Sequence, residues 1–124
     1  MDFDLTWEAH PSYLRVRIRA VELGAHVTDR FLREAKDALI DTRLGHLLLE
    51  FELAHALSGA DVFKVMQAFS PVMSGVRIAF VSQDSKQHPS LGFGVRVSQE
   101  FGQDYQYFKN IDAAQHWLTY AEFD

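Results

Sequence analysis

The chain has 124 residues, of which 48% are hydrophobic and 23% charged, and its formal net charge is −5. This composition predicts one folded domain spanning residues 1–124, and the acidic balance argues against general nucleic-acid binding, which requires a basic surface. The absence of cysteine excludes disulfides, thiolate metal sites and thiol nucleophiles. Because no secretory signal and no run of about 18 apolar residues is present, we expect a cytoplasmic protein with no transmembrane segment.

Two strands are predicted near the start of the chain. Residues 3–9 (FDLTWEA) and 13–21 (YLRVRIRAV) alternate apolar with polar side chains, which is the period of a strand with one buried and one wet face. The short segment His-Pro-Ser between them is compatible with an antiparallel hairpin. The polar side of the second strand carries a row of three arginines, Arg15, Arg17 and Arg19.

A helix and a central strand are predicted next. From Thr28 to residue 41, apolar residues recur at helical spacing with charged residues between them, so we predict an amphipathic helix that opens at Thr28. Residues 46–51 (HLLLEF) form a continuous apolar run that is too short for a globular helix. This run predicts a strand covered on at least one face.

The segment from Ser58 onward predicts a second helix. Ser58 and Asp61 form the S-x-x-D capping pattern, and apolar residues follow at helical spacing. We expect this helix to end before Pro71.

Further strands are predicted at residues 76–81 (VRIAFV) and 105–108 (YQYF). Asn110 is then expected to cap a final helix. The apolar face of that helix consists of Ile111, Ala114, Leu118 and Ala121.

Residues 88–102 (HPSLGFGVRVSQEFG) fit two structures. Alternation of apolar residues favours a strand, and the two internal glycines weaken a helix. However, Phe93, Val97 and Phe101 lie one helical turn apart, and a crossover between parallel neighbours normally carries a helix. We therefore predict a helix and keep the strand as the alternative.

The resulting order is β β α β α β α β α. Alternating strands and helices predict an α/β fold in which a mixed sheet of four or five strands carries helices mainly on one face. The opening hairpin supplies the antiparallel part of the sheet.

This order resembles the STAS domain in its SpoIIAA-like form, named after anti-sigma-factor antagonists of bacteria. Three stretches carry the likeness: a strand leading into a serine-bearing turn and helix (LLLEF…LSGADVF), a strand ending in a polar loop (VRIAFVSQDS), and the closing strand and helix (YFKNIDAAQHWL). The resemblance covers nearly the whole chain.

The resemblance implies a role for the turn around Ser58. In the phosphoregulated antagonists the turn reads Asp-Ser-Ser/Thr-Gly, and a partner kinase modifies the hydroxyl residue beside the glycine. The stretch AHALSG places Ser58 before Gly59 but has Leu57 where the family carries polar residues. A phosphate is favoured at a helix N-terminus, so Ser58 is a candidate phosphoacceptor, although the helix cap is the favoured interpretation. By analogy, Ser58, Gly59 and Asp61 form a candidate interaction turn.

A second branch of the family is likened to lipid-carrying domains, which implies an apolar pocket or a mobile lid. The candidate pocket and lid residues are Phe69, Leu91, Phe93, Val97 and Phe101. The alternative is that these residues pack in the core, as apolar residues at helical spacing commonly do.

The arginine row also has two interpretations. Arg15, Arg17 and Arg19 are candidates for binding an anionic headgroup or an acidic partner. In the alternative, they pair with nearby carboxylates on an exposed sheet face.

The sequence gives no indication of catalysis. The six histidines show no metal-binding spacing, and no phosphate-binding loop, dinucleotide fingerprint or nucleophile elbow is present. Glu50, Glu52 and His55 are suitable for acid–base chemistry but lack a nucleophile or oxyanion hole nearby. We therefore expect no metal, no cofactor and no enzymatic activity.

Taken together, these features predict a non-catalytic regulatory or adaptor domain that acts through protein–protein contacts. The alternative is binding of an apolar small molecule, a lipid or a membrane surface. The sequence leaves open whether the chain forms a homodimer.

Overall fold

The structure is a computed structural model that describes residues 3–120, so Ala121, predicted on the last helix, lies outside the described residues. Within this range the strands and helices follow the predicted order. They are β1 (Phe3–Ala9), β2 (Leu14–Ala20), α1 (Ala25–Thr42), β3 (His46–Leu53), α2 (Gly59–Val72), β4 (Arg77–Val81), α3 (His88–Glu100), β5 (Tyr105–Phe108) and α4 (Ile111–Tyr120), with a 3₁₀ turn at Ser85–Gln87.

The strands form one mixed five-stranded sheet in the order β1-β2-β3-β4-β5. β1 pairs with β2 in the antiparallel direction, with Ala9 opposite Leu14 at the hairpin end. The pairs β2–β3, β3–β4 and β4–β5 are all parallel. The predicted sheet, with an antiparallel opening pair followed by parallel strands, is therefore confirmed.

Three helices cover one face of the sheet. Residues of α1, α2 and α3 share a core with alternate residues of the strands, including Leu47, Leu49 and Phe51 of β3. Aromatic rings connect the layers: the centroids of Phe31 and Phe69 are 5.4 Å apart, and Phe69 lies 5.8 Å from Phe80 of β4. This is the larger of the two hydrophobic clusters in residues 3–120.

Within residues 3–120, only α4 covers the opposite face. Its buried residues Ala114 and Leu118 pack on Leu48, Ala79 and Val81 of β3 and β4. Asn110 caps α4, because its side-chain oxygen accepts a hydrogen bond from the amide of Ala113 at 2.8 Å. The prediction that helices lie mainly on one face is confirmed.

Two helix boundaries differ from the prediction. α1 begins at Ala25, three residues before Thr28, because Gly24 occupies the N-cap position. The Thr28 hydroxyl donates to the carbonyl of Gly24 at 3.0 Å, so Thr28 closes the first turn instead of opening the helix. α2 continues through Pro71 to Val72. Proline removes one amide donor, but only in the last turn, and the bond from the amide of Met73 to the carbonyl of Phe69 is retained at 2.8 Å.

The hairpin loop is also longer than predicted. Tyr13 belongs to the loop, since β2 begins at Leu14, and the amide of His10 donates to the carbonyl of Tyr13 at 2.9 Å. Tyr13 is buried against α4, where its hydroxyl accepts a hydrogen bond from Gln115 at 2.8 Å. The side chain of Tyr13 is thus directed to the α4 face, which extends the loop by one residue.

The uncertain segment 88–102 contains α3, as predicted in preference to a strand. α3 connects the parallel strands β4 and β5. It lies so close to α2 that a Cβ atom on Gly94 would be 2.1 Å from Cγ1 of Val62. Gly94 therefore permits tight helix packing, while Gly92 on the same helix has no atom within 4 Å of its Cβ position.

These two glycines provide a matched test of the α2–α3 packing. Gly94→Ala is expected to lower the free energy of unfolding by about 1–3 kcal/mol, because the added methyl group overlaps Val62. Gly92→Ala should instead raise it by up to about 1 kcal/mol, since alanine favours the helix. Urea unfolding of both variants checks the prediction, and equal effects would contradict the packing described here.

Candidate functional site

The first part of the candidate site is the turn between β3 and α2. Ser58 occupies the N-cap position with extended backbone angles, and its side-chain oxygen accepts a hydrogen bond from the amide of Asp61 at 3.0 Å. Ser58, Gly59 and Asp61 are all exposed. Ser58 is therefore a helix cap in this structure, and its role as a phosphoacceptor stays a prediction.

Residues from the start of α3 hold this turn in place. The side-chain oxygen of Gln87 accepts from the amide of Leu57 at 2.8 Å, and its nitrogen donates to the carbonyl of His55 at 2.9 Å. The Ser90 hydroxyl donates to the carbonyl of Leu57 at 2.6 Å. Gln87 and Leu57 are both buried, so the Ser58 turn is anchored between β3 and α3. No local sequence pattern indicates this anchor, because its partners are about thirty residues apart.

The second part is an apolar surface formed by the outer sides of α2 and α3. We call Phe63, Phe93, Val97 and Phe101 the aromatic surface. The three phenylalanines are 49%, 53% and 80% exposed, and Val97 is half-buried. A cleft of about 210 Å³ lies between the helices, lined by Phe63, Met66, Gln67, Ser70, Val97, Ser98, Phe101 and Gln103.

The structure separates the residues predicted as an apolar pocket or lid. Phe69 and Leu91 are each only 1% exposed and belong to the core, so they do not line the cleft. Val97 and Phe101 line it, while Phe93 is exposed outside it. The segment Leu91–Phe101 lies in and directly after a helix packed on α2 through Gly94, so opening it as a lid would break that packing.

The arginine row is paired with carboxylates along its length. The β2–β3 register places Arg17 beside Glu50 and Arg19 beside Glu52. Nη2 of Arg15 lies 3.0 Å from Oε1 of Glu50, and Nε of Arg19 lies 2.9 Å from Oε2 of Glu52. Between them, Nε of Arg17 lies 3.5 Å from Oε1 of Glu50 and 3.3 Å from Oε1 of Glu52. An anion bound here would have to compete with two carboxylates, so the geometry is that of the carboxylate-pairing alternative.

A polar depression lies beyond the carboxyl ends of β2, β3 and β4. It has a volume of about 550 Å³, and its charged lining residues are Arg19, Glu50, Glu52 and Asp84. The Lys86 ammonium and amide, both hydrogen-bonded to Asp84, lower the pKa of that carboxyl. The carboxylates at this end are therefore engaged with cationic groups.

Residues 3–120 contain neither a metal-ligand cluster nor a membrane-spanning helix. No group of three or more histidine, aspartate or glutamate side chains in this part of the chain is arranged to hold a metal ion. None of the helices described there is long and apolar enough to cross a membrane.

Comparisons with known proteins identify the fold. No protein-family model matches the chain, and no sequence among the curated proteins matches it. Among solved structures, the fold is similar to that of the anti-sigma factor antagonist SpoIIAA in its unphosphorylated form, with a TM-score of 0.57 over 93% of this chain and 94% of that chain. The SpoIIAA-like fold predicted from the sequence is confirmed, and at 10% identity the likeness shows the fold alone.

The Ser58 cap predicts a measurable loss of stability. Ser58→Ala should lower the free energy of unfolding by about 1 kcal/mol, because the amide of Asp61 loses its acceptor. Ser58→Asp should restore most of it, since aspartate is an equally good N-cap. Thermal unfolding of the two variants checks this, and an alanine variant as stable as the wild type would show that the cap contributes nothing.

The two glutamates paired with the arginines are expected to differ in their contributions. Glu50 is only 4% exposed, so Glu50→Gln should cost about 1–3 kcal/mol by leaving Arg15 and Arg17 without their buried counter-charge. Glu52→Gln should cost less than about 1 kcal/mol, because Glu52 is partly solvated. Urea unfolding in parallel gives the comparison, and a larger effect at Glu52 would contradict it.

Proposed function

We propose that this chain is a non-catalytic regulatory or adaptor module that binds a protein partner through the aromatic surface and the adjoining Ser58 turn. The observation that carries the proposal is the exposure of Phe63, Phe93 and Phe101 on two neighbouring helices. Large apolar side chains grouped on a surface are characteristic of protein interaction sites.

The surroundings of the aromatic surface support a protein partner. Exposed charged residues of both signs lie close in sequence to its phenylalanines, Asp61 and Lys64 on α2 and Arg96 and Glu100 on α3. An apolar centre with a charged, solvent-accessible rim is the usual anatomy of a protein–protein interface. The buried Gln87 anchor supports a turn of fixed shape beside this surface. A partner would thus meet a largely preformed site, which limits the entropy lost on binding.

The fold gives a second line of support. SpoIIAA is named as an antagonist of an anti-sigma factor, a role directed at another protein. A fold shared with such a protein is an analogy and does not by itself assign a function. We extend it only to a role in protein contact.

Ser58 provides a means of regulating this contact. Its hydroxyl group is exposed, at the N-terminus of the helix that carries Phe63. A phosphate there would be favoured by the helix dipole and would add about two negative charges beside the aromatic surface. Partner binding would then depend on the modification state of Ser58.

The alternative function is binding of an apolar small molecule or lipid, and its candidate site is the cleft between α2 and α3. Its volume of about 210 Å³ is below the roughly 300–1,000 Å³ typical of small-molecule sites. Its lining includes the polar side chains of Gln67, Ser70 and Gln103. A cleft of this size and polarity is better suited to one inserted side chain of a protein partner.

The proposal predicts that serine at two aromatic positions removes partner binding. We expect a chain carrying Phe63→Ser and Phe101→Ser to retain less than about one tenth of the partner that the wild type captures from its source cells, because truncating central aromatic contacts commonly costs 2 kcal/mol or more. Ile40→Ser is the matched control, since Ile40 is 64% exposed on α1, outside the aromatic surface. Quantitative mass spectrometry of the captured proteins measures the difference.

The same preparation separates the two functions. Native mass spectrometry of the purified chain should show the apo mass, with no shift when fatty acid or phospholipid is added. A bound lipid that is lost in the Phe63→Ser and Phe101→Ser variant would favour the alternative. Equal capture by this variant, the Ile40→Ser control and the wild type would reject the aromatic surface as the partner site.

A further inference from the structure

The open edge of the sheet at β1 is a separate feature, at the opposite border from β5. β1 extends over the seven residues Phe3–Ala9, and its register with β2 is continuous, without a bulge. In residues 3–120, only β2 pairs with β1, so roughly half of the backbone amide and carbonyl groups of β1 point away from the sheet. The sequence FDLTWEA contains no proline or lysine, the residues that commonly protect an edge strand from further pairing.

The sheet face that α4 leaves uncovered carries alternating rows of charge. β3 contributes the negative side chains of Glu50 and Glu52, and β2 contributes the arginine row. On β1, Asp4 lies opposite Arg19, and Glu8 lies opposite Arg15. The rows are therefore negative, positive and negative from β3 to β1. The next strand position, beyond β1, is complementary to positive side chains.

The other side of β1 is apolar and only partly covered. Phe3, Leu5 and Trp7 are half-buried and pack against the helix-side core. Trp7 stacks on Phe31 of α1 with a centroid distance of 5.9 Å. Apolar side chains on an added strand would cover the remaining exposed surface of these three residues.

The geometry points to an additional strand supplied by a partner protein: we propose that β1 pairs with an extended segment in which lysine or arginine alternates with apolar residues. The basic side chains would lie beside Asp4 and Glu8, and the apolar ones beside Phe3, Leu5 and Trp7. Main-chain hydrogen bonds give such a complex its affinity, and the alternating side chains give its specificity.

The helix side of β1 carries an ion pair. The guanidinium of Arg30 on α1 lies 5.1 Å from the ring centroid of Phe3, and its Nε lies 2.7 Å from Oε2 of Glu34. Basic side chains of a strand in the inverted orientation would meet this already paired charge and lose the contacts with Asp4 and Glu8. The acidic side of β1 therefore specifies the face on which the basic residues lie.

A second copy of this chain is a poor occupant of the edge. In a two-fold antiparallel pair of β1 strands centred on Thr6, Asp4 of each copy would lie opposite Glu8 of the other. Like charges placed directly opposite in a sheet are destabilising. The acidic side chains therefore favour a basic strand from another protein.

The test uses the whole chain and a synthetic nine-residue peptide that alternates lysine with valine or threonine, titrated at low salt. We expect binding detected by fluorescence anisotropy, with slowed amide exchange confined to β1. Two controls address specificity: the same peptide with alternate amides N-methylated, and a peptide with glutamate in place of lysine. Neither control should protect β1, since one cannot complete the ladder and the other carries the wrong charge.

Charge reversal tests the residues. A chain carrying Asp4→Lys and Glu8→Lys should bind the lysine peptide about tenfold more weakly, because two attractive cross-strand pairs become repulsive. Asp37→Lys with Asp41→Lys gives the same charge change at exposed sites on α1 and should have a much smaller effect. If the chain with reversed charges does not fold, the N-methylated and glutamate peptides still test the proposal on the unaltered chain.

Three results would each overturn the proposal. The lysine peptide could fail to bind at low salt, the N-methylated or glutamate peptide could bind as tightly as the lysine peptide, or both charge variants could lose the same amount of binding. Sedimentation of the chain alone is the remaining check: a dimer with protected β1 amides would assign the edge to a second copy. None of these results bears on the aromatic surface, so failure here and failure of the proposed function are distinguishable.

Discussion

Burial of the central strand β3 on both faces is the constraint on which the rest of the structure depends. Leu47, Leu49 and Phe51 face the core beneath α1, α2 and α3, while Leu48 faces α4. Glu50 lies on the α4 side yet is only 4% exposed. Its carboxylate needs counter-charges at this depth, which Arg15 and Arg17 of the neighbouring strand supply. The ion pairs between β2 and β3 lie on the part of this sheet face that α4 does not cover.

The two faces consequently present different surfaces to other molecules. On the helix side, close packing at Gly94 brings α2 and α3 together and leaves Phe63, Phe93 and Phe101 outside the core. On the other side, the ion pairs keep the sheet face polar and leave β1 with acidic side chains at the border. The proposed partner binding through the helices and the proposed strand addition at β1 would thus occupy separate parts of the molecule.

Most of the fold could be predicted from the sequence because its strands and helices differ clearly in period. Alternation in residues 14–20 and the continuous apolar run beginning at His46 identify strands directly. In residues 88–102 the alternation of apolar residues favours a strand, whereas the parallel crossover and the helical spacing of Phe93, Val97 and Phe101 favour the helix that is observed. The sequence does not indicate the start of α1, because Gly24 caps it without a side-chain hydrogen bond. Pro71 predicts a stop, but proline is tolerated at its position in the last turn of α2.

Less of the candidate site could be predicted, because its features depend on contacts between distant residues. The capping role of Ser58 is local and follows from the residue three positions later. The Gln87 anchor and the burial of Glu50 depend on strand register and tertiary packing. Similarly, the sequence makes Phe69 and Phe93 equally good candidates for an apolar pocket. Only the packing of α2 and α3 shows that Phe69 is a core residue and that Phe93 is exposed.

The most direct test of the central claim, that α2 and α3 form the partner site, is a two-dimensional ¹H–¹⁵N NMR titration of the chain with the purified partner that it captures. We expect chemical-shift changes at the amides of residues 58–72 and 88–101 and no changes at the amides of α4. Changes concentrated on α4, with the amides of α2 and α3 unaffected, would contradict it.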